Sequence, residues 1–212
     1  MEYFDVSVRR FDEFAEEYAS RFENVSGYID QLTHFCNQIK SDKPAILELA
    51  CGPGNVTRFL KDRFPESRIV ALDLAPKMIE IARSQLPAVD FRVMDVRAIS
   101  EIQDQFDAVM CSFCLPFLSK ADAAQLIGDC ANFLVSGGVL YISTMEGDAT
   151  RAGFETTSFS GDSEIYFNYH RQQDLEDVFA TNGFEIRQVK LQDYIEPDGS
   201  ATTDMIFIAL KR

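Results

Sequence analysis

Apolar positions along the chain fall into two rhythms, and their alternation sets the expected architecture. Phe11, Phe14, Ala15, Tyr18 and Phe22 step by three and four, the spacing of one stripe on a helix. Tyr28, Ile29, Leu32, Phe35, Cys36 and Ile39 repeat that spacing, so two amphipathic helices are expected before the 41–44 segment breaks the pattern. Short apolar runs then recur at 45–50, 68–73, 89–94 and 106–111. Each is too short for a helix and ends in polar or turn residues, which predicts buried strands.

Helical spacing returns between the strands. Val56, Phe59, Leu60 and Phe64 form one stripe, and Met78, Ile79, Ile81 and Ala82 form another behind Pro76. Ser119 and Asp122 resemble a capping box opening a helix that runs to about Phe133. Val135-Ser-Gly-Gly138 is expected to turn into a fifth strand at 139–143, and the Gly-, Ser-, Thr- and Asp-rich 145–163 stretch to form an irregular cap. A helix over 173–181 stops at Asn182-Gly183, and strands at 184–191 and 203–210 follow. Alternating strand and helix predict an α/β fold with a largely parallel sheet covered on both faces.

With 212 residues and 46% hydrophobic content, one domain is the simplest expectation. Its parts are a helical lid at 1–42, a core at 43–144, a cap at 145–170, and a closing helix and strands at 171–212. Twenty basic residues against 34 acidic give a net charge of −14. No Lys/Arg cluster stands out, which argues against a nucleic-acid or anionic-membrane surface. Solubility alone accounts for the acidity. No apolar run approaches the roughly 20 residues of a membrane span. The five cysteines have no framework spacing, and no secretory signal is read ahead of them, so a reduced, cytoplasmic setting is expected. Cys111-x-x-Cys114 has no second pair, and the small apolar character of cysteine accounts for it better than zinc or redox chemistry.

The candidate chemistry gathers at strand ends. Glu48-Leu-Ala-Cys-Gly-Pro-Gly54 carries a strand into two glycines just ahead of a helix, where backbone N–H groups can approach a ligand. Asp73 closes the second strand 19 residues after Gly54, the distance at which an acid reaches ribose hydroxyls. Asp95 follows the third strand and Ser112 the fourth. In an open parallel sheet these ends share one edge. Each has a plainer alternative, since strand-terminal aspartates also cap helices and form turns, and Asp107 belongs to that class.

Taken together, Glu48 to Gly54, Ala71-Leu-Asp-Leu-Ala-Pro-Lys-Met78, Val93-Met-Asp-Val96 and Phe106-Asp-Ala-Val-Met-Cys-Ser112 resemble the class I S-adenosylmethionine-dependent methyltransferases. The resemblance covers residues 45–144 and extends to the closing strands. It implies a Rossmann-like, doubly wound, seven-stranded sheet with one antiparallel strand. It would set Gly52 and Gly54 under the methionine part of S-adenosylmethionine, Asp73 on the ribose and Met78 beside the adenine. Asp95 and the Val96 backbone would meet the adenine's polar edge. Tyr18, Glu48, Ala50, Pro53, Leu74, Cys111 and Ser112 complete the expected cofactor set.

The implied reaction is in-line transfer of the sulfonium methyl to a small-molecule acceptor, with the N-terminal helices and the 145–170 cap as a lid. His170, after Tyr166-Phe-Asn-Tyr169, is the expected catalytic residue, and Tyr169 with His170 the expected substrate contacts. His34, between apolar positions, reads as structural. Two alternatives stay open. One is a non-catalytic sensor or partner subunit that binds the same cofactor. The other is a nicotinamide-dependent oxidoreductase, although Thr57 stands where its third fingerprint glycine is needed.

Overall fold

The computed structural model describes residues 3–156, 159–161, 163–195 and 201–212. In chain order the elements are α1 (Tyr3–Glu13), α2 (Ala15–Arg21), α3 (Ile29–Gln38), β1 (Ala45–Leu49), α4 (Asn55–Arg63), β2 (Arg68–Asp73), α5 (Pro76–Gln85), β3 (Asp90–Val93), β4 (Phe106–Cys111), α6 (Lys120–Phe133), β5 (Leu134–Met145), β6 (Gly153–Thr156), β7 (Glu164–Phe167), α7 (Gln172–Thr181), β8 (Phe184–Ile195) and β9 (Ala201–Lys211). Seven strands form one sheet in the order β3-β2-β1-β4-β5-β9-β8, and only β9 runs against the rest. This is the Rossmann-like sheet that the alternation and the resemblance led one to expect.

The pleat divides the sheet's side chains between two apolar layers. Leu47, Val70, Val109, Leu140 and Phe207 face α6 and α7, whereas Ile46, Ile69, Ala108, Tyr141 and Ile208 face α3, α4 and α5. Burial on both faces explains why the strands read as continuous apolar runs. Successive strands step away from β1 in one direction through β2 and β3, and the chain then returns to add β4 on the other side. That reversal opens a crevice at the carboxyl ends of β1 and β4.

The structure corrects several boundaries. The first stripe is two helices, broken at Phe14 (φ −105°, ψ 30°). The break lets Ala15 bury itself against Ala75 and Met78 while Phe11 and Tyr18 meet edge to face at 5.6 Å. The second stripe begins as a 3₁₀ turn over Ser26–Tyr28, and Ile29 stays exposed. The third strand is two residues shorter than expected, covering Asp90–Val93.

The expected turn at 135–138 lies inside β5. Its register against β4 slips there, with Leu134 opposite Phe106 and Val139 opposite Ala108, and Gly137 takes φ +77°. The cap is not wholly irregular, because β6 and β7 pair as an antiparallel hairpin. Residues 157, 158 and 162 of the cap lie outside the described residues. β8 and β9 both run past their expected ends.

The N-terminal helices dock through particular contacts. Ser7 Oγ lies 3.3 Å from both the backbone oxygen and the backbone nitrogen of Tyr166 on β7, and the Tyr3 ring stacks on Tyr166 at 4.4 Å. The Lys77 amide, at the start of α5, donates to Asp12 on α1. The N-terminal helices are thereby fixed across the crevice that β1 and β4 leave open.

Candidate functional site

At the carboxyl edge of the sheet lies a cavity of about 990 Å³, floored by the ends of β1, β2, β4 and β5 and the start of β9. Its first wall is the β1–α4 turn. Ala50 and Gly52 take φ +53° and +54° and Gly54 φ +91°, so three residues within five are in the left-handed region. For Ala50 that is costly, and such strain is characteristic of residues held in place at a binding site. Gly54 is needed for a second reason: a Cβ there would sit 3.3 Å from the Ala82 Cβ on α5.

Asp73 organises this turn. Its Oδ2 accepts from the Gly52 amide and its Oδ1 from the Ala75 amide, both at 2.8 Å. Burial pushes its pKa up, while the amides of Ala75, Gly52 and Leu74 pull it back by favouring the carboxylate. Glu48, only 2% exposed, also lines the cavity. Among the described residues its Oε2 has no hydrogen-bond partner. Burial raises its pKa to about 8, the Thr57 hydroxyl opposes that rise, and the nearby Asp73 charge adds to it. A buried carboxyl oxygen without a hydrogen-bond partner is expensive to maintain, and a ligand group that pairs with it would relieve that cost.

Over the turn lies an aromatic roof. The Tyr18 ring meets Phe11 at 5.6 Å, Phe22 at 4.6 Å and Phe159 at 4.9 Å, and its Cε1 is 3.7 Å from where a Gly52 Cβ would stand. Burial and the Asp73 charge push its hydroxyl up to about 12, so it stays neutral. Met78 and Val96 close the side over β2 and β3, and Ala50, Pro53, Leu74 and Ser112 complete this half.

Comparison with known proteins agrees with this geometry. Residues 46–138 match a family model described as a methyltransferase domain. Over those residues the chain is similar to the methyltransferase domain, and they carry the ends of β1, β2 and β4 that floor the cavity. It is 32% identical over 126 residues, 58% of its length, to malonyl-[acyl-carrier protein] O-methyltransferase of Acetivibrio thermocellus, covering 39% of that protein. It is 26% identical to demethylmenaquinone methyltransferase of Thermotoga maritima, with 85% of this chain and 88% of that one aligned. The structure of magnesium protoporphyrin IX methyltransferase from Synechocystis PCC 6803 with bound S-adenosylmethionine superposes with a TM-score of 0.73. That alignment has 13% identity and covers 100% of this chain and 98% of the other. The chain spans about two fifths of the length of the malonyl-[acyl-carrier protein] and trans-aconitate methyltransferases it matches.

Not every expected site residue reaches the cavity. Asp95 caps the 3₁₀ turn after β3, accepting from the Arg97 amide at 2.8 Å and pairing with its guanidinium at 2.7 Å. Its carboxylate is thereby engaged, and the cavity is lined by Val96 instead. Gly54 packs on α5 behind the turn, and Cys111 is fully buried within the sheet core. Cys114 is buried beside it, and its hydrogen-bonding contact with the Cys111 sulfur, together with burial, pushes its thiol far up.

His170 corrects the expectation of a catalytic histidine. It is 2% exposed, does not line the cavity, and its Nε2 donates to the Leu115 carbonyl at 2.9 Å. Burial depresses its pKa, so it is a neutral ring tying the segment after β7 to the one after β4. Tyr169 does reach the cavity, donating its hydroxyl to Glu155 Oε1 at 2.8 Å.

The cavity's second half, over β4, β5 and β9, contains residues not singled out from sequence: Tyr28, Phe113, Phe117 and Asp204. Asp204 left a readable signal, since it is the one acid in the last strand. Phe113 left none. Its φ of +52° belongs to a residue type that rarely adopts that region, and only the folded chain shows its amide donating to both the backbone oxygen and the Oγ of Ser143.

Proposed function

We propose that this chain binds S-adenosylmethionine in the half of the cavity over β1 and β2 and transfers its methyl group to a small-molecule acceptor held over β4, β5 and β9. The observation that carries the reading is Glu48, a buried carboxylate with an unpartnered oxygen beside a left-handed glycine turn. That pairing suits an α-ammonium next to a carboxylate met by backbone amides. Asp73 keeps acceptor capacity on both oxygens for the ribose hydroxyls, and Met78 and Val96 offer an apolar slot for the adenine.

When bound, S-adenosylmethionine supplies a methyl group on a sulfonium, an already activated leaving group. The protein's part is then to position and to exclude water. Holding reactants at attack distance is worth about 7–11 kcal/mol. The roof of Phe11, Tyr18, Phe22 and Phe159 is placed to keep solvent from that half of the cavity. With no described helix long and apolar enough to cross a membrane, and five buried free thiols, a soluble acceptor in a reducing compartment such as the cytoplasm fits best. The acidic balance disfavours nucleic acid as acceptor.

Calorimetric titration with S-adenosylmethionine and, separately, NADH tests the reading. S-adenosylmethionine is expected to bind in the micromolar range and NADH not at all. Binding of NADH alone would replace the proposal with an oxidoreductase.

A further inference from the structure

We infer that the acceptor is an amine, and that Asp204, held by Tyr28, is the residue that binds its nitrogen. The inference rests on the proposed function and names the acceptor class for that same cavity. Asp204 stands near the start of β9, opposite Met145 at the carboxyl end of β5, so it projects from the sheet edge that the glycine turn also occupies. The two groups are separated by the ends of β4 and β5, across the switch point rather than beside it. One half of the cavity is therefore committed to Glu48 and Asp73, and Asp204 belongs to the other.

Asp204 is 5% exposed, yet it lines the cavity. The Tyr28 hydroxyl donates to its Oδ2 at 2.6 Å, a short, charge-assisted bond that fixes the carboxylate's orientation. Tyr28 comes from the turn ahead of α3, so the N-terminal helices and the acid are tied to one another. The Tyr28 ring in turn meets Phe113 edge to face at 5.3 Å. Phe113 is held in its left-handed conformation by two bonds from its amide to Ser143. That strain maintains a ring at the boundary of the two half-cavities.

The rest of this half is aromatic, with Phe117, Phe167 and Tyr169 on the wall. Among the described residues its other charges are Glu155 and Arg151. Glu155 accepts from Tyr169, and the Arg151 guanidinium lies over the Tyr169 ring at 4.3 Å on an exposed side chain. Two carboxylates and several π faces against one exposed guanidinium make an environment that favours a cationic or N–H-bearing group over an anion. A neutral amine nitrogen can donate an N–H to Asp204 while its substituents lie on the rings; its lone pair then forms the N–C bond as the sulfonium S–C bond breaks, and the proton it sheds passes to the Asp204 carboxylate. A carboxylate acceptor would face Asp204 and Glu155 with like charge.

The test uses the whole chain saturated with S-adenosylhomocysteine and three probes of one shape: 2-phenylethylamine, 2-phenylethanol and 3-phenylpropionate. The amine is expected to bind, the alcohol more weakly and the carboxylate not measurably. In Asp204→Asn the preference of amine over alcohol should fall by roughly tenfold or more, the size expected when a hydrogen bond to a charged group is lost. In Tyr28→Phe it should fall less, and the melting temperature should drop with the lost bond to the buried Asp204 carboxylate. Because the readout is a ratio between probes, a general loss of stability does not imitate it. Equal or better binding of the carboxylate, or an amine preference that survives Asp204→Asn and Tyr28→Phe alike, would overturn the inference. Failure of S-adenosylhomocysteine itself to bind the unaltered protein would instead overturn the proposed function.

Discussion

Asp73→Ala is expected to abolish S-adenosylmethionine binding, weakening it by about 10²–10⁴-fold. The figure follows from two hydrogen bonds to an ionised carboxylate, each worth roughly 1.5–3 kcal/mol. The loss is twofold in origin. The ribose hydroxyls lose their acceptor, and the Gly52 and Ala75 amides lose the oxygens that set the turn beneath the cofactor. Asp73→Asn separates these contributions, since its amide oxygen still accepts from one amide while its NH₂ group faces another donor. Its affinity should fall between the two proteins, read by calorimetry alongside a melting curve. Alanine binding as tightly as the native residue would remove Asp73 from the site.

Glu48 governs the second large effect, on stability. With a folded pKa near 8 against an ordinary value of 4.5, the native protein holds a proton that the unfolded chain has released throughout that window. Stability must therefore fall as pH rises from about 4.5 to 8, by at most about 5 kcal/mol for a shift of that size. Asp73, also raised, adds in the same sense. His170 acts oppositely: its depressed pKa costs stability as pH falls through and below its ordinary 6.5. The comparison that isolates Glu48 is denaturation of the native protein and Glu48→Gln from pH 5 to 9. The variant should gain on the native protein steadily with pH and exceed it at pH 9. Parallel pH profiles would show that Glu48 is not a buried acid of raised pKa.

How far the sequence could be read depended on the kind of information each element holds. β2 and β4 were legible to the residue, because a strand buried on both faces is a closed apolar run with polar ends. The Ser119 cap of α6 was equally legible, its side chain accepting from the Asp122 amide as a local rule requires. The break at Phe14 was not, since no Gly or Pro marks it and tertiary packing of Ala15 decides it. The β6–β7 hairpin was hidden in a polar stretch whose order comes from docking on α1.

At the site, the strand-end pattern pointed to Glu48, Gly52 and Asp73, and all three line the cavity. Asp95 and His170 share a feature that spacing does not show: a polar residue at a strand end can be taken up by a nearer partner, Arg97 in one case and the Leu115 carbonyl in the other. Tyr28 and Asp204 are separated by 176 positions, and only the fold brings them together.

The most direct test of the central claim is S-adenosylmethionine titration by calorimetry at pH 7 in two buffers of different ionisation enthalpy. If the ligand's ammonium meets Glu48, binding converts a mostly protonated carboxyl into a carboxylate. The native protein should then release close to one proton per ligand bound, and Glu48→Gln none. Binding without proton release, or release undiminished in the variant, would contradict the account.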